Sequence, residues 1–165
     1  MSKMLMTSIK TDTATPVATI PPREFLSTLV WIKADGLSTA GTQSVVEILA
    51  PASWATPWHN HLTHDEYFYI LEGEVTAQVG NTRVVLRPGD YAFGPRGVPH
   101  GYRVTGSGPA RLLMMTGDRD FAEFVKEMST PAAGNTLPAP SEPDIEKVVA
   151  TAARYGMEIL GPMPD

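Results

Sequence analysis

The chain has histidines at 59, 61, 64 and 100, and a carboxylate, Glu66, closely follows the first three. On an extended strand, residues i and i+2 point to the same face, so His59 and His61 can aim two imidazoles at one interior point. Glu66 opens an apolar run after a short turn and can send its carboxylate toward that point. His100 follows a Gly/Pro-rich turn at the mouth of another strand. Three imidazoles and a carboxylate suit a borderline divalent ion such as Fe, Ni, Co, Mn, Cu or Zn, and leave positions open for substrate, water or dioxygen. The candidate ligands are therefore His59, His61, Glu66 and His100, and the expected cofactor is one divalent transition metal ion. His64 lies in the turn between His61 and Glu66. Its plainest reading there is a solvent-facing residue, with a donor behind the ligands, a gate or a substitute ligand as alternatives.

Such residues need rigid elements to hold them. Residues from about 26 to 117 read as short β-rich runs bounded by turn residues, as an all-β sandwich or barrel requires. The expected strands are Thr28–Lys33, Ser44–Leu49, Glu66–Leu71, Glu74–Val79, Thr82–Arg87, Asp90–Phe93, Gly101–Thr105 and Arg111–Thr116. Gly80-Asn81 marks a tight hairpin turn, and Pro88-Gly89 and Gly94-Pro95 bracket a very short strand. Ahead of this zone, residues 1–25 are rich in Thr and Pro and are expected to form an extended arm. Behind it, residues 118–165 carry two helical patterns. In the first, Phe121, Phe124, Val125 and Met128 recur at helical spacing after a cap candidate at Asp118 or Asp120. The second is expected to begin near Ser141, with Glu142 and Asp144 in its first turn, and to stop at Gly156. The expected organisation is thus an N-terminal arm (1–25), a barrel (26–117) and a C-terminal helical extension (118–165) that braces or lids it.

Composition narrows the partners. The formal charge is −5, which argues against nucleic acid and anionic membrane surfaces, since both reward a basic face. Cysteine is absent, so disulfides, thiolate zinc sites and cysteine nucleophiles are excluded. No stretch approaches the ~18 apolar residues of a membrane span, and Met1–Ile9 is too short and polar for a signal peptide. A cytoplasmic protein acting on a small molecule, with no nucleic acid and no membrane, is the expectation.

The histidine segments resemble the two cupin motifs. The first motif is a His-x-His pair, a Glu, and a Gly beyond it, matched by His59, His61, Glu66 and Gly73. The second is matched by Gly89, Pro95, Gly97 and His100. Two positions depart from the pattern: Ser53 or Trp54 stands where a Gly precedes the first His, and Val104 replaces a frequent Asn. Neither is a ligand. The resemblance implies a small jelly-roll-type barrel holding one metal ion.

Strand alternation from Glu66 puts Phe68 and Ile70 on its inward face, and alternation from His100 adds Tyr102. Trp54, Trp58, Phe93 and Met114 complete the candidate pocket walls. Aromatic and Met-rich walls favour a flat, largely apolar molecule that reaches the metal through an enol oxygen. Within the cupins, the spacing from His61 to Glu66 and the tail from Phe121 to Pro162 resemble the single-barrel bacterial flavonol dioxygenases, the quercetinase-like group. That resemblance implies that Glu66 both ligates the ion and takes the substrate's hydroxyl proton before reaction with O2. It also implies a homodimer. Two other readings of a metal-binding cupin stay open: a non-oxidative cyclase or isomerase of a polyketide-like substrate, and a small-molecule binding or sensing module.

Overall fold

The computed structural model describes residues 21–165. Residues 1–20 of the expected arm lie outside the described residues. At its end, Arg23–Phe25 forms a strand (β1). It pairs with Thr28–Ala34 (β2), which continues to Ser44–Ala50 (β3) and Pro57–His61 (β4). Then come Glu66–Glu72 (β5), Val75–Val79 (β6), Thr82–Leu86 (β7), Tyr91–Gly94 (β8), His100–Val104 (β9) and Ala110–Thr116 (β10). Helix Asp120–Met128 (α1), the two-residue strand Thr130–Pro131 (β11), helix Ile145–Arg154 (α2) and strand Met157–Pro162 (β12) complete the chain.

The strands form two antiparallel sheets, ordered β11-β1-β2-β3-β10-β5-β8 and β12-β4-β9-β6-β7. Period-two patterning makes them. Along β3, Val46, Ile48 and Ala50 are buried while Val45, Glu47 and Leu49 are only half-buried. In β10 the same alternation buries Leu112 and Met114. The inward faces of the two sheets meet in one core, where the rings of Phe68 and Tyr102 lie 5.8 Å apart. Each fully buried aliphatic or aromatic side chain contributes roughly 1.5–3 kcal/mol relative to exposure.

The tail differs from the helical extension read from sequence. Helix α1 buries Phe121, Phe124 and Val125, and Phe124 meets Phe25 edge-on at 5.7 Å. Helix α2 starts at Ile145 rather than near Ser141. Pro143 disfavours helical backbone at Glu142, and the Asp144 carboxylate caps the helix by accepting the Lys147 N–H at 3.0 Å. Gly156 ends it with φ +68°. A Cβ there would lie 2.7 Å from Thr63 Oγ1, so glycine meets both a conformational and a packing demand. Beyond it the chain becomes β12, an edge strand that pairs with β4 from Met157↔His61 to Pro162↔Pro57. None of the described helices is long and apolar enough to cross a membrane.

Candidate metal centre

Strand β4 carries His59 and His61, β5 begins with Glu66 and β9 begins with His100. All four side chains are buried, and their ligand atoms lie within 4.8 Å of one another. Glu66 Oε2 is 3.7 Å from His59 Nε2, 3.5 Å from His61 Nε2 and 3.1 Å from His100 Nε2. Ligands bound at ~2.1 Å to a common ion stand ~3.0–3.4 Å apart in octahedral or tetrahedral arrangement, so the cluster is close to that spacing. His61 Nε2 is buried without a hydrogen-bond partner, a costly state that a bound cation relieves. The cluster is therefore positioned to hold a metal ion.

Local structure explains the convergence. His59 and His61 share the inward face of β4, and Gly94 stands opposite Glu66 in the β5–β8 ladder. A Cβ on Gly94 would lie 3.0 Å from the His100 ring, so only bare backbone lets that imidazole lie there. The Nδ1 atoms of His59 and His100 hydrogen-bond the Pro57 and Val98 carbonyls at 2.9 and 2.8 Å. Those bonds fix Nδ1 as the protonated nitrogen and turn Nε2 toward the cluster.

Charge is balanced inside the cluster. Burial lowers the His61 pKa and outweighs the upward pull of Glu66. His100 is raised despite its burial, because its Nε2 lies against Glu66. Burial alone would raise Glu66, but the imidazoles of His61, His100 and His59 gathered around it hold its carboxyl well below the usual range. Glu66 is thus an ionised acceptor at neutral pH.

A cavity of about 50 Å³ adjoins the cluster, lined by His59, Glu66, Trp54, Tyr102 and Met114 together with side chains of α1, α2 and β12. A larger groove of about 780 Å³ lies outside it, between the Pro51–Pro57 loop, residues 140–145 and β12. The two share Leu26, Trp54, Thr56, Pro57, Val148 and Ile159, which stand between them. Leu26 and Ser27 both have left-handed backbone, φ +47° and +63°, as the central pair of the tight β1–β2 turn. The Trp54 Nε1–H donates to the Leu26 carbonyl at 2.8 Å and pins that turn beside both spaces.

Of the side chains proposed from sequence as pocket walls, Trp54, Tyr102 and Met114 line the cavity. Phe68 and Ile70 are fully buried in the core and do not line it; Phe68 packs on the His100 ring at 5.8 Å. Trp58 alternates with the inward His59, so it is not among the lining residues. Phe93 is 42% exposed and packs at a tilt beside Tyr67 on the outer face, because in β8 the inward positions are Ala92 and Gly94.

His64 also differs from its plainest sequence reading. It is 2% exposed rather than solvent-facing. Its Nε2 meets His61 Nδ1, and its Nδ1 lies 2.5 Å from Asp118 Oδ2. Asp118 had a reading only as a helix cap. Its Oδ1 accepts the Asp120 N–H at 3.0 Å, while its other oxygen serves the histidine. A pairing across so much sequence left no local pattern to read. The walls supplied by Leu26, α2 and β12 were equally invisible, because apolar residues in a tail read first as packing.

Residues 45–116 match the cupin domain family. Over 71 residues the chain is 32% identical to an uncharacterized protein of Methanocaldococcus jannaschii, covering 43% of this chain and 57% of that protein. Over 126 residues it is 25% identical to quercetin 2,3-dioxygenase of Bacillus subtilis, covering 76% of this chain and 37% of that enzyme. The chain thus spans 57% and 37% of the length of these curated relatives. The fold is shared with a Thermotoga maritima protein described as a predicted oxalate decarboxylase, at TM-score 0.55 and 18% identity over 63% of this chain and 96% of that one.

Proposed function

We propose that this cupin domain is a metal-dependent dioxygenase that cleaves or oxidises an enolisable aromatic small molecule, flavonol-like in shape, with O2. A divalent transition metal held by His59, His61, Glu66 and His100 supplies Lewis acidity and, if redox-active, an electron path to dioxygen. The observation that carries the reading is the division of labour within Glu66. Its Oε2 faces the imidazoles, whereas Oε1 is buried without a partner on a residue that lines the cavity. An ionised, unpartnered carboxylate oxygen there is equipped to take a hydroxyl proton.

Tyr102 complements it. Its hydroxyl is buried and unpartnered, and burial together with the Glu66 charge pushes its pKa up. It stays protonated and donates a hydrogen bond to a substrate oxygen. The inner cavity is too small for a whole flavonol, so the residues shared by the two spaces act as a throat through which the reacting edge enters while the remainder lies in the outer groove. Residues 118–165 act as the brace that walls both spaces. The similarity to a Bacillus subtilis protein named quercetin 2,3-dioxygenase supports the assignment. The exposed aromatic side chains Tyr67, Tyr91 and Phe93 on the β5–β8 edge support a homodimer, which light scattering would detect.

The test is oxygen uptake by protein reconstituted separately with Fe, Ni, Co and Mn, challenged with quercetin and a panel of enolisable phenolics and polyketides. Uptake that prefers one metal and falls ~10²–10⁴-fold in folded Glu66→Gln supports the dioxygenase. Conversion of a polyketide without oxygen uptake would instead favour a cyclase or isomerase, which the Glu66–Tyr102 acid–base pair also fits. Tight binding with no conversion would point to a sensing module.

A further inference from the structure

The three histidines of the cluster are not anchored alike. His59 and His100 turn their Nδ1 atoms to backbone carbonyls. His61 turns its Nδ1 to a side chain, the Nε2 of His64. The other nitrogen of His64 reaches Asp118 Oδ2 at 2.5 Å, with Thr63 Oγ1 at 3.1 Å. Asp118 is held in turn by the Asp120 N–H at 3.0 Å and the Thr116 hydroxyl at 3.3 Å. The chain of contacts therefore runs from the cluster to a carboxylate that is partly open to solvent.

The direction of these bonds follows from Asp118. An ionised carboxylate only accepts, so His64 Nδ1 must donate to it. A neutral His64 then has a lone pair at Nε2 and must accept from His61 Nδ1. His61 Nε2 is left unprotonated, with its electron pair facing the cluster. A carbonyl sets the tautomer of His59 and His100 directly; here a carboxylate sets it through an intervening imidazole.

We propose that His64 and Asp118 are positioning residues that impose the metal-binding tautomer and ring orientation on His61. The proposal rests on the metal-centre reading above. Asp118→Asn is the informative variant, because an amide can donate as well as accept. If its NH2 group turns to His64, every bond in the chain reverses and His61 Nε2 acquires the proton. The effect then exceeds a simple loss of packing.

The experiment is a Co(II) titration of the full chain, followed through the visible ligand-field bands, with ¹⁵N-histidine NMR of the metal-free protein. Wild type should bind one Co(II) and show His61 protonated at Nδ1. Asp118→Asn and His64→Phe should weaken Co(II) roughly 10–100-fold, and Asp118→Asn should move the His61 proton to Nε2. Asp118→Glu should restore part of the affinity. Melting curves identify any variant that has lost its fold, and the two sites provide independent routes to the same answer. Co(II) affinity within twofold of wild type in both folded variants, with an unchanged His61 tautomer, would overturn the positioning role. Failure of the wild type to bind Co(II) would overturn the metal-centre reading itself.

Discussion

His59 and His100 are directly opposed across the β4–β9 ladder, with their ring centroids 4.7 Å apart. The ladder thus sets the distance between these two imidazoles of the cluster, and β4 adds His61 on the same face. Removing one imidazole from so prepared a site should act on metal binding far more than on the fold. His59→Ala is expected to keep the far-UV circular dichroism of wild type while losing roughly 100-fold or more in metal affinity. Retention of stoichiometric metal after dialysis, measured by elemental analysis, would remove His59 from the ligand set.

Tyr102 separates stability from activity. Its hydroxyl is buried without a partner, which costs about 1–3 kcal/mol. Tyr102→Phe should therefore unfold at higher temperature or denaturant, by about 1 kcal/mol, while turnover drops roughly tenfold. A variant that is destabilised, or one that turns over normally, would show that the hydroxyl has a partner or no role in orienting substrate.

Leu26 tests the throat. For an L-residue other than glycine, left-handed backbone costs about 1–2 kcal/mol. Leu26→Gly relieves that cost while losing partly buried apolar surface, so its melting temperature should stay near wild type. Leu26→Val keeps apolar bulk but adds a β-branch, and should lose about 1–2 kcal/mol. With the wider throat, Leu26→Gly should also lower KM for the bulkiest substrates in the panel. Equal stability of the two variants would mean that the turn relaxes freely.

The acid limb of stability should carry the signature of Asp35. Its hydrogen bond with Lys126 Nζ at 2.7 Å, helped by the Ser38 N–H, lowers its pKa from the ordinary 3.8 to about 2. A carboxyl depressed in the folded state adds stability above pH 4 and loses it as pH falls toward 2, because the unfolded chain takes up the proton first. Urea unfolding should show Asp35→Asn weaker than wild type by up to about 1 kcal/mol at pH 5, with the gap closing toward pH 2. A gap independent of pH would assign the difference to lost hydrogen bonding alone.

The His59, His61, Glu66 and His100 cluster was legible in sequence because its parts are local. His59 and His61 are two apart, Glu66 opens a run of alternating burial, and His100 closes a Gly/Pro turn. Most strands were legible for the same reason. The His64–Asp118 contact was not, because it joins residues distant along the chain through a fold not yet formed. Phe93 misled because alternation gives two faces without saying which one is inward. The opposing position of Gly94 against Glu66 decides that, and it is a property of the ladder. Strand β12 was hidden by Gly161 and Pro162, whose presence reads as loop until an edge position accommodates it.

The pairing of β12 with β4 sets a timetable for biosynthesis. β4 meets β9 in register only at His59↔His100, whereas β12 holds it from His61 to Pro57. A chain emerging N-terminus first therefore exposes His59 and His61 long before Met157–Pro162 leaves the ribosome to zip their strand in place. The cluster is therefore framed on both sides of β4 only once Met157–Pro162 has emerged, so the strand that carries His59 and His61 is among the last to be locked into its sheet.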